Sequence, residues 1–151
     1  MEYKVRGRTF DEFEEGEVIM TASRTITETD IMNFAGVSGD FNPLHTDEIF
    51  MARSAFGTRI AHGMLVMSIA TGLANQKGDF EGTTIAVLNM NVAFKGAVKP
   101  GDTIRLKLVV GEKKESSKPD RGIIIFNNEV LNQNDEVALE TQWTIMMSRK
   151  Q

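Results

Sequence analysis

Two short stretches carry the residue types that can do acid–base chemistry. The first, Gly39-Asp40-Phe41-Asn42-Pro43-Leu44-His45, holds a carboxylate, an amide and an imidazole within six residues. The second, Ile60-Ala61-His62-Gly63-Met64-Leu65, opens an uncharged run that reads as a buried helix. Gly39 tolerates positive φ and Pro43 fixes its own, so the first stretch turns. A turn lets the side chains of Asp40 and His45 converge although they stand five positions apart. A converging carboxylate and imidazole are the equipment of general acid–base catalysis. Taken alone, Asp40 and Asn42 equally suit a turn whose side chains bond local backbone.

The elements that must position these groups follow from periodicity. Residues 1–17 are charged and read as an arm or irregular lead-in. Val18 to Ile26 is rich in β-branched residues, as a strand or a bent pair of short strands would be. Thr27 followed by Asp30 resembles a capping box, and Ile31, Phe34 and Ala35 then fall at helical spacing. Gly36 and Gly39 are expected to end that helix. A second, short helix is expected within Thr46–Ala55, where Ile49, Phe50 and Ala52 repeat. From His62 to Gln76 no side chain carries formal charge apart from the imidazole, and a helix apolar all round is expected to be buried on all sides. Its small residues, Ser68, Ala70 and Gly72, would let strands approach closely.

After Gly82 the period changes to two. Leu88, Met90, Val92 and Phe94 form one alternating set, and Ile104, Leu106, Leu108 and Val110 another, with Pro100-Gly101-Asp102 as the turn between. Gly111 to Arg121 reads as an exposed hairpin tip, and Ile123–Leu131 as a third strand. After an Asn132–Asp135 turn, Val137, Leu139, Thr141, Trp143, Ile145 and Met147 line one face of a fourth. The economical arrangement is one α+β domain, residues 1–151, whose antiparallel sheet wraps around the 62–76 helix.

Composition narrows the function classes. The chain has 151 residues, 41% apolar and 25% charged, which suits a single globular domain. A net charge of −4 and a pI near 5.2 argue against nucleic-acid binding as the main role. The absence of cysteine removes disulfides, thiolate catalysis and Cys-ligated zinc. No apolar leader stands in residues 1–17, and the run from Gly63 to Gln76 is too short to span a bilayer. The expectation is a cytoplasmic protein without membrane or nucleic-acid partners. A metal site built from Asp40, His45, Asp47 and His62 is not expected, because the set lacks a tight ligand spacing.

Phe34-Ala35-Gly36-Val37-Ser38-Gly39-Asp40-Phe41-Asn42-Pro43-Leu44-His45, then Ala52, then Arg59-Ile60-Ala61-His62-Gly63-Met64-Leu65, closely resembles the MaoC-like dehydratases, the group of (R)-specific enoyl-CoA hydratases. The similarity is dense from Thr27 to Gln76 and continues through Val98-Lys99-Pro100-Gly101-Asp102. The resemblance implies the hot-dog fold, and a homodimer whose sheets join edge to edge with the acyl-thioester site near the interface. It implies Asp40 and His45 as the catalytic pair, Asn42 as their support, and the Gly63 N–H as the donor to the thioester oxygen. Met64 and His62 adjoin that donor and are the expected substrate contacts, although packing at a helix start is the plainer role for His62. No cofactor is expected beyond coenzyme A as part of the substrate.

Hydration of a 2-enoyl thioester needs water activated towards C3, a proton for C2 and donors for the enolate-like oxygen. A carboxylate and an imidazole gripping one water serve the first two, each contributing on the order of 10²–10⁴-fold. A free N–H at a helix start serves the third, reinforced by the helix dipole. Dehydration of 3-hydroxyacyl groups on acyl carrier protein, or of branched or carboxylated acyl-CoA, would use the same pair. A thioesterase and a non-catalytic acyl-CoA sensor are the remaining alternatives. Lys95, Lys99, Arg53 and Arg59 could meet coenzyme A phosphates but read equally as solvated surface.

Overall fold

The computed structural model describes residues 3–150, so Met1, Glu2 and Gln151 of the expected domain lie outside the described residues. The charged lead-in is more than an arm. A 3-10 turn at Phe10–Glu12 places Phe10 in the core, and Phe13 follows it there at 1% exposure. The Phe13 ring stacks on Phe80 at 6.0 Å and meets Phe126 edge-on at 5.5 Å. Arg8 pairs with Glu17 at 2.7 Å and Arg149 with Asp11 at 2.6 Å, holding the acids outward while the aromatics point in.

Val18–Ile26 forms the bent pair: β1 (Val18–Met20) and β2 (Arg24–Thr25). Helix α1 (Glu28–Ser38) begins at the expected box, with Thr27 Oγ accepting from Asp30 N–H at 3.1 Å and the Asp30 carboxylate accepting from Thr27 N–H at 2.8 Å. It runs through Gly36 and ends only at Gly39, whose φ of +75° is the left-handed cap. Two short helices follow, α2 (Pro43–Thr46) and α3 (Glu48–Ala52). In α3 the apolar pattern misleads: Met51 is buried, while Ile49 and Phe50 face outward. The phase is set by Asp47, whose carboxylate caps the Phe50 N–H at 2.8 Å.

Helix α4 (Gly63–Lys77) is the central helix, with Leu65, Val66, Met67, Ile69, Ala70, Leu73 and Ala74 buried. It is not covered on all sides in the single chain. Met64, Ser68, Gly72 and Asn75 form an exposed stripe at helical spacing, because the sheet curls around only part of its circumference.

The long strands are β3 (Thr84–Phe94), β4 (Thr103–Glu115), β5 (Arg121–Leu131) and β6 (Val137–Ser148). All pairings are antiparallel, in the order β1-β4-β5-β6-β3 with β2 also on β4. Ile104, Leu106, Leu108 and Val110 turn inward as their alternation requires, as do Leu139, Trp143, Ile145 and Met147. This sheet around α4 is the hot-dog fold. One connection differs from expectation. Pro100-Gly101-Asp102 does not join neighbours, since β3 pairs with β6 and β4 with β5. Residues 95–102 instead cross from the β3 edge of the sheet to β4, beyond β6 and β5, and the Val98 carbonyl accepts from Ala61 N–H at 2.7 Å just ahead of α4. Strand β3 has one free edge, and Ile85, Val87, Leu88 and Phe94 are exposed along it. Among the described residues, no helix is long and apolar enough to cross a membrane.

Phe13→Ala should lower the unfolding free energy in urea by roughly 3–5 kcal/mol, the range for truncating a buried aromatic. A negligible loss would return residues 1–17 to the status of a loose arm.

Candidate active site

The first turn is built by its own polar side chains. Ser38 Oγ accepts from Asp40 N–H at 3.1 Å, and Asp40 Oδ1 accepts from Asn42 N–H at 3.2 Å. Asn42 then caps α2 by accepting from Leu44 N–H at 3.1 Å, with Pro43 at the first helical position. Thr46 Oγ closes the turn by donating to the Phe41 carbonyl at 3.1 Å. One oxygen of Asp40 is thus committed to the turn, and the half-exposed carboxylate presents the other, Oδ2, towards His45.

His45 is 7% exposed. Its Nδ1 lies 2.7 Å from the Ile60 carbonyl, which can only accept, so Nδ1 carries a proton, and in the neutral ring Nε2 presents a lone pair. Nε2 stands 3.7 Å from Asp40 Oδ2. That gap is too long for a direct hydrogen bond and suits one water touching both groups. The second stretch is pinned to the first by Ile60 N–H, which donates to the Leu44 carbonyl at 3.0 Å.

His62 lies behind this pair. Its Nε2–H donates to the Asp40 carbonyl at 2.9 Å, and its ring stacks on His45 with centroids 3.7 Å apart and planes 25° from parallel. Phe34 meets its other side at 5.0 Å. Gly63 is the first residue of α4, and its N–H has no acceptor among the described residues, as the helix start dictates. A Cβ there would stand 2.3 Å from the Phe94 ring, so any side chain at this position requires that exposed ring to move.

Two adjoining hollows share His45, Gly63 and Phe94. One is lined also by Phe34, Ser38, Asp40, His62 and Met64. The other, of ≈ 390 Å³, is mainly apolar, with Ile60, Val66, Val98 and Leu139 in its wall. The structure therefore gathers Asp40, His45, His62, Gly63 and Met64 around one opening, with Asn42 shaping the turn beside it. Sequence reasoning missed Phe94 as a site residue. Alternation assigned it to the sheet's apolar face, yet it ends β3 at 59% exposure and separates the two hollows. A larger hollow of ≈ 530 Å³ on the sheet, around Asn91, Lys107, Asn127 and Gln142, is lined by none of these groups.

Ligand atoms of Asp40, His45 and His62 lie within 4.8 Å of one another, whereas the Asp47 carboxylate is spent on capping α3. The near-parallel imidazoles aim their nitrogens along near-parallel planes, which is poor geometry for a shared ion. Of the four cations considered for phosphates, Lys95 pairs with Glu140 at 3.2 Å, and Arg59 pairs with both Glu28 and Glu48. Arg53 and Lys99 have no ion pair among the described residues.

Comparison with known proteins shows what the chain as a whole is similar to. The family described as MaoC like domain matches residues 11–129. An (R)-specific enoyl-CoA hydratase of Rhodospirillum rubrum is 30% identical over 138 residues, 91% of this chain and 90% of its own. Protein MaoC of Klebsiella aerogenes is 43% identical over 105 residues, 69% of this chain, but the match spans only 31% of that longer protein. A solved structure of a monoamine oxidase regulatory protein from Archaeoglobus superposes with a TM-score of 0.89 at 35% identity, covering 99% of this chain and 100% of that one.

Gly63→Ala should displace the Phe94 ring and cost about 1 kcal/mol in urea unfolding, the low end for overpacking, because the ring is exposed enough to shift. Adding Phe94→Ala should recover the overpacking part of that cost. A single variant as stable as the parent would show that Phe94 does not press on Gly63.

Proposed function

The chain belongs to the MaoC-like dehydratase family, and from that premise we propose that it catalyses the reversible syn hydration of trans-2-enoyl-CoA to (R)-3-hydroxyacyl-CoA. The observation that carries this reading is the 3.7 Å gap between Asp40 Oδ2 and His45 Nε2, beside the unpartnered N–H of Gly63. A water in that gap is oriented by both groups. Its oxygen bonds to C3 of the enoyl group as its proton passes to one of the pair. The π electrons move towards the thioester carbonyl, whose oxygen gains charge against the Gly63 N–H at the positive end of α4. A proton returned from the pair to C2 completes the addition. Hydroxyl and proton arrive from one side, which makes the addition syn. The reverse steps eliminate water.

In this reading coenzyme A is part of the substrate, no other cofactor takes part, and the protein works in cytoplasmic fatty-acid metabolism. Met64 borders the reacting atoms, His62 lies behind them against His45, and the apolar hollow beyond Gly63 takes acyl carbons. A homodimer completes the assembly. Strand β3 offers an unpaired edge with Ile85, Val87 and Leu88 exposed, and the open stripe of α4 lies uncovered in the single chain. Long, apolar free edges are normally paired or protected. The name of the Archaeoglobus neighbour motivates a second reading, acyl-CoA binding without turnover, against which the complete Asp40/His45 pair speaks.

With crotonyl-CoA, loss of the conjugated enoyl-thioester absorbance should be rapid in the parent and reduced by about 10²–10⁴-fold in Asp40→Asn, the weight of one acid–base group. Melting should be unchanged. Near-normal turnover in the variant would refute the role of Asp40. Binding without turnover across CoA and carrier-protein thioesters would favour the second reading. Sedimentation should give a dimer that Val87→Arg shifts towards monomer, and a monomeric parent would contradict the proposed assembly.

A further inference from the structure

His62 is the polar group that the proposed chemistry leaves unused. It is 3% exposed, and its Nδ1 is buried with no hydrogen-bond partner among the described residues. A buried imidazole with one idle nitrogen is expensive if packing were its whole role, because a phenyl ring fills similar space without a polar atom to desolvate. The other nitrogen explains the cost. Since the Asp40 carbonyl accepts only, Nε2 must be the protonated nitrogen, and the idle Nδ1 is the lone pair left by that tautomer.

We propose that His62 is a positioning residue that locks the three working parts of the site to one another. Its Nε2–H holds the backbone of Asp40, its ring face backs His45, and its own backbone precedes the Gly63 N–H. Within its Asp40 half the turn is otherwise held by short-range bonds from Ser38, Asp40 and Thr46, the links of Leu44 and His45 to Ile60 lying further along it. Those bonds fix the shape of the turn but not its place relative to α4. The Ile60 links place the His45 end, and the His62 bond, spanning 22 positions, places the Asp40 end, so together they set the distance between carboxylate and imidazole. The stack adds a second restraint: with Nδ1 of His45 tied to the Ile60 carbonyl and its face against His62, the ring cannot swing Nε2 away from Asp40.

The consequence for rate rests on the hydration proposed above. The consequence for the turn does not, so the two are separable. Three substitutions discriminate. His62→Phe keeps the stacking ring and loses the donor. His62→Gln places an amide N–H as far along the side chain as Nε2, whereas the amide of His62→Asn reaches only as far as Nδ1. Amide hydrogen exchange at Ile60, whose N–H donates to the Leu44 carbonyl across the seam between the turn and the approach to α4, should speed up by an order of magnitude or more in the Phe and Asn variants and remain near the parent value in the Gln variant. On crotonyl-CoA the Phe variant should lose about 10²-fold in kcat with little change in KM, as a small misplacement of a catalytic group does. The Gln variant should recover most of that loss, and the Asn variant should not. Unchanged exchange in the Phe variant, or a Gln variant no better than Asn, would overturn the proposal. An inactive parent would defeat the hydration reading alone, with the exchange data still deciding the role of His62.

Discussion

Two hydrogen bonds from imidazoles to backbone carbonyls hold the site together. His45 Nδ1–H reaches the Ile60 carbonyl and His62 Nε2–H reaches that of Asp40, each crossing between the turn after α1 and the approach to α4. They run in opposite directions: the turn lends an imidazole to the helix approach, and the helix start lends one back. Because a carbonyl can only accept, these bonds also fix which nitrogen of each ring carries the proton. The geometry and the protonation pattern of the site therefore have one cause. Without the cross-links, the turn would keep its shape and lose its address.

The rest of the fold supplies a rigid base for those bonds. Helix α4 is held by Leu65, Val66, Ile69 and Leu73 against inward residues of the sheet, so its first N–H is fixed in direction. The crossing segment, residues 95–102, braces the approach through Val98 and Ala61. Where the sheet stops, at β3 and the open stripe of α4, the single chain is unfinished in apolar terms. Phe94 ends that strand against Gly63, which puts the edge of the sheet and the donor of the site in contact.

Local signals were legible in the sequence, and so was the convergence of most of the candidate residues on one opening. The Thr27/Asp30 box, the start of α4 and the alternation of Ile104 to Val110 depend on neighbours within a few residues, which is why periodicity reads them. The convergence of Asp40 and His45 followed from a glycine and a proline at a turn. What stayed hidden was non-local. That β3 pairs with β6 rather than β4 depends on a crossover that no local pattern encodes. Phe13 among acids gives no period, and in α3 a capping bond rotated the helix so that Met51 rather than Ile49 faces inward. The open stripe of α4 looked buried because small and uncharged residues suit both a core and a surface awaiting a partner.

The central claim is that one water, held by Asp40 and His45 on one face of the substrate, is added across the double bond. Its most direct test is hydration of crotonyl-CoA in heavy water, followed by determination of the configuration at both carbons of the product. One diastereomer is expected, with the (R) configuration at C3 and the deuterium at C2 delivered to the same face as the hydroxyl. A mixture at C2, or addition to opposite faces, would mean that hydroxyl and proton come from separate sources and would contradict the shared-water site.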